Sequence, residues 1–224
     1  MKFYKNLNQT PTKQQHLIIK ENHNKTGFSM THKQNRLPPD QTETDHILRW
    51  GTDHPGITTT NPQLKLETYT LTIDGEVENP AKLSWSDFLA LPQTVSVSDF
   101  HCVEGWSVLG CKWTGVRIRD IEALVKPRDV ARAVTFECAD NYTTSLFREE
   151  LAGDDVLLAH KLNDEPLEEG LGFPVRLIVP NKYAYKSALW VVGLKFTSVK
   201  ELGFWERRGY SDSADVWRND RYRR

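Results

Sequence analysis

Residues 95–107 read Val-Ser-Val-Ser-Asp-Phe-His-Cys-Val-Glu-Gly-Trp-Ser. Val95 and Val97 alternate with serines, the two-residue period of an extended strand, and the strand runs straight into Asp99-Phe100-His101-Cys102. Gly105 then marks a turn, so the Cys102 side chain leaves the sheet there. The same period recurs on both sides. Upstream, Tyr69, Leu71 and Ile73 alternate with Thr68, Thr70 and Thr72, and Asp74-Gly75 supplies a turn. Downstream, Val134, Phe136 and Cys138 alternate with Thr135 and Glu137. Val175, Leu177 and Val179 mark a strand that stops at Pro180, and Trp190 to Phe196 reads as its near neighbour. Helical signals are short. Ser84 or Ser86 caps a helix that carries Trp85, Phe88 and Leu89 and is stopped by Pro92. Ile118, Ile121, Leu124 and Val125 share one helical face. Strands dominate without regular strand–helix alternation. The expected class is therefore α+β, with mixed β-sheets and short helices, and not a doubly wound nucleotide fold.

Composition narrows the functional classes. The chain has 224 residues, 38% hydrophobic and 26% charged, the range of a globular protein. Its 29 Lys and Arg stand against 30 acidic residues, a formal charge of −1. No global field attracts nucleic acid or an anionic membrane, so no nucleic-acid partner is expected. The longest apolar stretches are strand-sized, so no membrane span is expected either. Leu17-Ile18-Ile19 is too short for the core of a secretory signal, and three cysteines cannot complete a disulfide framework. A cytoplasmic protein is expected. Residues 1–36 are rich in Lys, Asn, Gln and Thr and read as a flexible N-terminal extension. The histidines at 16, 23, 32 and 46 lack tight ligand spacing. A domain over 37–203 follows, then an aromatic and basic tail over 204–224, with Trp205, Tyr210 and Trp217 packed on the domain and the arginines solvated.

No phosphate loop, dinucleotide fingerprint, nucleophile elbow or paired-Cys zinc motif is present. The absence of a Cys-x-x-Cys pair argues against a thiol redox protein. Taken alone, a cysteine such as Cys102 is most often a buried small residue. Between His101 and Gly105, at the end of a strand, its thiolate is also placed to serve as a soft ligand to a transition metal.

These residues carry a family resemblance. Asp99 to Ser107, followed by Trp113-Thr114-Gly115-Val116, resembles the cofactor-binding core of the sulfite oxidase-type molybdenum enzymes, closest to their short bacterial and archaeal branch. Gly172-Phe173-Pro174-Val175-Arg176-Leu177-Ile178-Val179-Pro180 is similar too, as are Tyr183-Ala184-Tyr185-Lys186-Ser187 with Trp190, and Gly203-Phe204-Trp205-Glu206-Arg207-Arg208-Gly209-Tyr210. The ordered matches run from about residue 64 to the C-terminus and imply a sulfite oxidase-like molybdopterin-binding fold. The resemblance implies a molybdopterin cofactor with a mononuclear molybdenum whose thiolate ligand is Cys102. Arg176 then matches the arginine at the pterin phosphate, and Lys186 and Ser187 the loop closing on the phosphate side. His54, His101 and Cys138 fall against the cofactor. Trp106 corresponds to an aromatic wall of the substrate pocket, and Tyr142 to a tyrosine close to the metal whose phenol can hydrogen-bond or pass a proton.

Departures shape the functional expectation. Sulfite oxidases proper place arginines just after the cysteine, where this chain has Glu104, Gly105 and Trp106. A carboxylate there repels a dianion, so sulfite is a poor substrate. Two positions that are polar or basic at the phosphate in relatives read Leu171 and Leu189. No haem-binding domain or its histidines precede the core, so no haem is expected. The reading is a molybdenum-dependent oxidoreductase, transferring two electrons or an oxygen atom on a small-molecule substrate and exchanging electrons with a separate partner. The alternative is a non-catalytic cofactor-binding or interaction module of the same fold.

Overall fold

The computed structural model describes residues 37–58 and 60–223; the extension expected over 1–36, with three of its histidines, lies outside the described residues. Among the described residues the elements are β1 (Thr42–Glu43), β2 (Thr70–Gly75), β3 (Ala81–Ser84), α1 (Trp85–Ala90), β4 (Thr94–His101), β5 (Trp106–Arg117), α2 (Ile118–Val125), β6 (Ala133–Cys138), β7 (Thr143–Phe147), β8 (Leu157–Leu162), β9 (Glu165–Pro166), β10 (Arg176–Ile178) and β11 (Val191–Thr197), with short 3-10 turns between them. They form two sheets. One has β1, β5, β8 and β10 side by side, with β4 also on β5 and β9 on β8; the other runs β3-β2-β11-β6-β7. Most pairings are antiparallel, but β1 with β5 and β2 with β11 are parallel. The sheets are mixed and the helices short, as the pattern of apolar residues predicts.

Alternation explains how the sheets pack. Leu71 and Ile73 of β2, Val134 and Phe136 of β6, and Leu194 and Phe196 of β11 meet Val116, Leu158 and Leu177 of the other sheet in one buried core. Truncating Phe136 to alanine there costs about 3–5 kcal/mol, the transfer and cavity terms together. One step along the same strands, Leu157, Ala159 and Ile178 join Phe100, Trp113 and Leu171 in a second cluster. Ser84 is the N-cap of α1, in a reciprocal capping box with Asp87, and Phe88 is its buried anchor. In α2, Ile118, Ile121 and Val125 are buried, while Leu124 is turned partly outward.

The structure refines one expectation and corrects another. Val95 and Val97 do mark a strand, but they are 56% and 66% exposed. β4 has β5 as its one partner, and it becomes buried only at Phe100 and His101, where it approaches Cys102. β10 and β11, read as near neighbours, belong to different sheets. They touch just beyond their ends, where Val191 N–H donates to the Val175 carbonyl at 2.9 Å. Among the described residues no helix is long and apolar enough to cross a membrane.

Candidate functional site

Between β4 and β5 the chain reverses in the turn that carries Cys102. Cys102 N–H donates to the Trp106 carbonyl at 2.8 Å and Gly105 N–H to the Cys102 carbonyl at 3.1 Å. Gly105 takes φ +102°, which disfavours a side chain. The turn is held from below. Gln41 Nε2 donates to the Cys102 carbonyl at 3.1 Å, and Ser107 Oγ donates to Gln41 Oε1 at 2.8 Å. Since the Ser107 proton is engaged, its oxygen accepts from His101 Nδ1 at 2.8 Å. Arg221 donates to the Val103 carbonyl and, at 3.0 Å, to that of Asp40. His101 is buried, and burial lowers its pKa against the opposing pull of Asp99. It supports the turn and does not line the cavity above it.

That cavity has about 970 Å³ of free space, its open mouth included. Cys102, Trp106, His54, Tyr142, Arg176 and Ser187 all lie on its wall, brought together from widely separated parts of the chain. Cys138 and Lys186, expected at the cofactor, stand behind the wall. Cys138 is buried in β6, its N–H donating to the Tyr142 carbonyl at 3.0 Å. Lys186 has its ammonium donors engaged by the Ser145 carbonyl at 3.2 Å, by Glu206, and by Asp212 at 3.3 Å.

Around Cys102 the charges are arranged by Glu104. The thiol donates to Glu104 Oε2 at 3.8 Å; burial pushes its pKa up to about 12, and the neighbouring carboxylate adds to the rise. Glu104 also accepts from Trp106 Nε1 at 3.3 Å and faces His54 Nε2 at 2.8 Å. Partial burial pushes the Glu104 carboxyl up, but His54, Trp106 and Cys102 together hold it below its ordinary value. His54 Nδ1 lies 2.8 Å from the Pro55 carbonyl, so both ring nitrogens face acceptors.

Arg176 is the other charge at the wall. It is 1% exposed, with the Phe100 and Trp113 rings 4.9 and 5.6 Å from its guanidinium carbon. Nη1 donates to the Leu171 carbonyl at 3.0 Å and Nη2 to the Ser187 carbonyl at 3.2 Å, while Nε has no partner. Among the described residues no carboxylate pairs with it, and burial pulls its pKa down. Tyr142 is buried; its hydroxyl donates to the Tyr185 carbonyl, and burial holds its pKa well above the usual phenol range.

Four wall residues were not assigned to the site from the sequence: Trp50, Trp190, Trp205 and Tyr210. Trp190, Trp205 and Tyr210 lie in the motifs that carry the resemblance, but only long-range packing shows that they reach the cavity, and Trp50 had no signal.

Residues 58–205 match the family described as oxidoreductase molybdopterin binding domain. The uncharacterized oxidoreductase YuiH of Bacillus subtilis is 39% identical over 154 residues, covering 69% of this chain and 78% of YuiH. The putative protein-methionine-sulfoxide reductase subunit YedZ1 of Azospira oryzae is 33% identical over 64% of this chain and 55% of its own length. The protein-methionine-sulfoxide reductase catalytic subunit MsrP of Xanthomonas axonopodis pv. citri is 29% identical over 77% of this chain and 58% of its own. The chain thus spans little more than half the length of these two reductase relatives. Sulfane dehydrogenase SoxCD from Paracoccus pantotrophus shares the fold with a TM-score of 0.59 at 23% identity, over 67% of this chain and 43% of that one.

Proposed function

The chain belongs to the family of oxidoreductase molybdopterin-binding domains, and from that premise we propose that it holds a molybdenum–pterin cofactor in this cavity through the Cys102 thiolate and reduces a small neutral sulfoxide.

One observation carries the reading: Arg176 is a buried cation at the cavity wall, with a free Nε and no carboxylate partner among the described residues. Such a charge is costly unless an anion completes it, and a planar guanidinium suits a phosphate. The donor set fits the rest of the group. Among the described residues no three His, Cys, Asp or Glu side chains converge as a metal site. Cys102 would give a metal held here one soft thiolate ligand. When bound, the cofactor supplies a sulfur-ligated metal that cycles between oxidation states two electrons apart.

The chain's own residues bind and orient. Arg176 holds the phosphate, assisted by Ser187, whose Oγ accepts from Val179 N–H at 3.0 Å and keeps its own proton to donate. Lys186, engaged by Glu206 and Asp212, stays out of that contact. Leu189 adds no charge to the wall, and Leu171 contributes its carbonyl to Arg176. Trp106 and Tyr142 flank the substrate position. Glu104 repels anions and orients the His54 ring through Nε2. A sulfoxide needs two electrons and two protons to leave as thioether and water; it carries no charge for Glu104 to oppose. The sulfoxide reductase relatives support this substrate class.

The test is to purify the full chain from a molybdenum-competent host. Molybdenum and released pterin are quantified, and turnover of methionine sulfoxide is followed with reduced benzyl viologen. Near-stoichiometric loading and sulfoxide-dependent viologen oxidation are expected, with metal retention lost in Cys102→Ala. Protein holding neither metal nor pterin overturns the proposal. A loaded centre inert to every sulfoxide and N-oxide offered assigns the chain to the non-catalytic alternative.

A further inference from the structure

The acids of the C-terminal segment are engaged in ion pairs and hydrogen bonds, while three of its arginines face solvent. Glu206 is fully buried against Lys186, and Asp212 joins Lys186 and Lys200. Asp215 accepts from the Trp217 and Arg218 backbone N–H groups, and Asp220 accepts from the Ser211 and Ser213 hydroxyls. Arg207, Arg208 and Arg223 are exposed and donate to backbone carbonyls, those of Leu202, Phe204 and Glu206. None of the three has a carboxylate partner among the described residues. Arg223 N–H donates to the Gly209 carbonyl at 2.9 Å, which brings Arg223 beside the other two. A chain of formal charge −1 thus presents a positive face on this segment through three exposed arginines.

At that face an aromatic path begins. Tyr222 is 59% exposed and bridges Tyr210 across an antiparallel backbone contact, the ring centroids 5.3 Å apart. Tyr210 lies on the cavity wall, and its centroid is 5.1 Å from that of Trp205, also on the wall.

We propose that this face docks an acidic one-electron carrier protein, and that Tyr222 and Tyr210 bridge the electron from it to the cavity. The inference rests on the redox reading of the cavity given above. A positive face alone would equally suit an anionic membrane or a nucleic acid; a ring path from that face to the cavity favours a redox partner. Each docking oxidises one carrier by one electron, and two dockings supply the two electrons that, with two protons, turn a sulfoxide into thioether and water. The rings shorten the tunnelling path and are themselves neither oxidised nor reduced. Complementary charge steers such encounters and makes them sensitive to salt.

The experiment uses the cofactor-loaded full chain and an acidic plant-type [2Fe–2S] ferredoxin as probe. Ferredoxin binding is titrated directly, and sulfoxide reduction is driven by reduced ferredoxin or, separately, by benzyl viologen. Binding and ferredoxin-driven rate should both fall as salt rises. Arg207→Gln/Arg208→Gln/Arg223→Gln should lower the ferredoxin kcat/KM about tenfold or more at low salt, leaving the viologen rate unchanged. Tyr222→Leu should keep the binding and lose rate at saturating ferredoxin. Salt-independent binding, no binding, or a triple variant equal to the parent overturns the proposal. So does loss of binding to phosphatidylglycerol vesicles in the triple variant with ferredoxin binding intact. Absence of viologen turnover counts against the proposed function instead, while the binding titration still decides the docking face.

Discussion

Lys186 Nζ and Glu206 Oε1 form an ion pair from which solvent is wholly excluded on both sides. Thr144 Oγ1 donates to the same carboxylate oxygen at 2.9 Å, so the pair ties the C-terminal segment to β7. Burial lowers the Lys186 pKa, and Glu206 works against that shift. Removing Glu206 leaves the buried Lys186 ammonium with only the more distant, part-exposed Asp212 as counter-ion. Glu206→Leu should destabilise the chain by about 3–5 kcal/mol, and adding Lys186→Met should recover most of the loss. Urea denaturation of both variants checks this; equal losses in the single and double variants would contradict it.

Arg176 should behave in the opposite sense. In the cofactor-free chain it is a buried cation without a counter-ion, so Arg176→Met should leave urea stability unchanged or raised. The same substitution should abolish retention of the pterin, measured by fluorescence of the released cofactor. A large loss of stability with normal cofactor content would reverse the role assigned to Arg176.

The sequence makes some parts of this site readable and hides others. Local signals sufficed where the cause is local: the Ser84 cap of α1, the alternation of Leu71 and Ile73, and the strand-to-turn transition at Cys102. Alternation did not say which face the β4 valines would take, because a strand with one partner can turn apolar residues to water. Arg176 was recognisable from its motif, but its isolation from any carboxylate was not. Lys186 read as a phosphate-side residue because Glu206, twenty residues on, gives no local sign that it turns inward to meet it. Tyr210 and Trp205 reach the cavity only through packing of the C-terminal segment.

The Cys102 thiol, pushed up to about 12 by burial and then by Glu104, should react slowly with alkylating reagents in cofactor-free protein. Its iodoacetamide rate, mapped by mass spectrometry, should keep rising with pH from 7 to 10 without levelling. Glu104→Gln should increase the rate throughout that range by removing the neighbouring charge. A plateau near the ordinary thiol value would show that the thiol is not held protonated.

Stability should fall as the medium is acidified through the histidine range. His160 is buried, its Nε2 3.1 Å from Gln93 Oε1, with Trp85 and Phe88 edge-on to its ring. Burial first, then Lys161, lowers its pKa from 6.5. The unfolded chain therefore takes up a proton at higher pH than the folded one. The contribution is complete above 6.5 and is lost as pH falls through the folded pKa. His160→Gln should flatten this part of the curve of unfolding free energy against pH; an unchanged slope would remove His160 from the account.

Glu104 should decide the charge of the substrate. Its carboxylate lies on the cavity wall, held below its ordinary pKa by His54 and by the Trp106 and Cys102 donors against the effect of partial burial. Like charges about 4 Å apart repel by roughly 1 kcal/mol in water and about 4 kcal/mol at the effective dielectric near a protein surface. Glu104→Gln should therefore raise kcat/KM for an anionic sulfoxide, such as a carboxylate-bearing one, by at least about fivefold relative to dimethyl sulfoxide. The comparison between two substrates on one enzyme cancels differences in cofactor loading. If neutral and anionic sulfoxides respond equally to the substitution, the carboxylate does not face the reacting oxygen, and selection against anions must come from elsewhere on the wall.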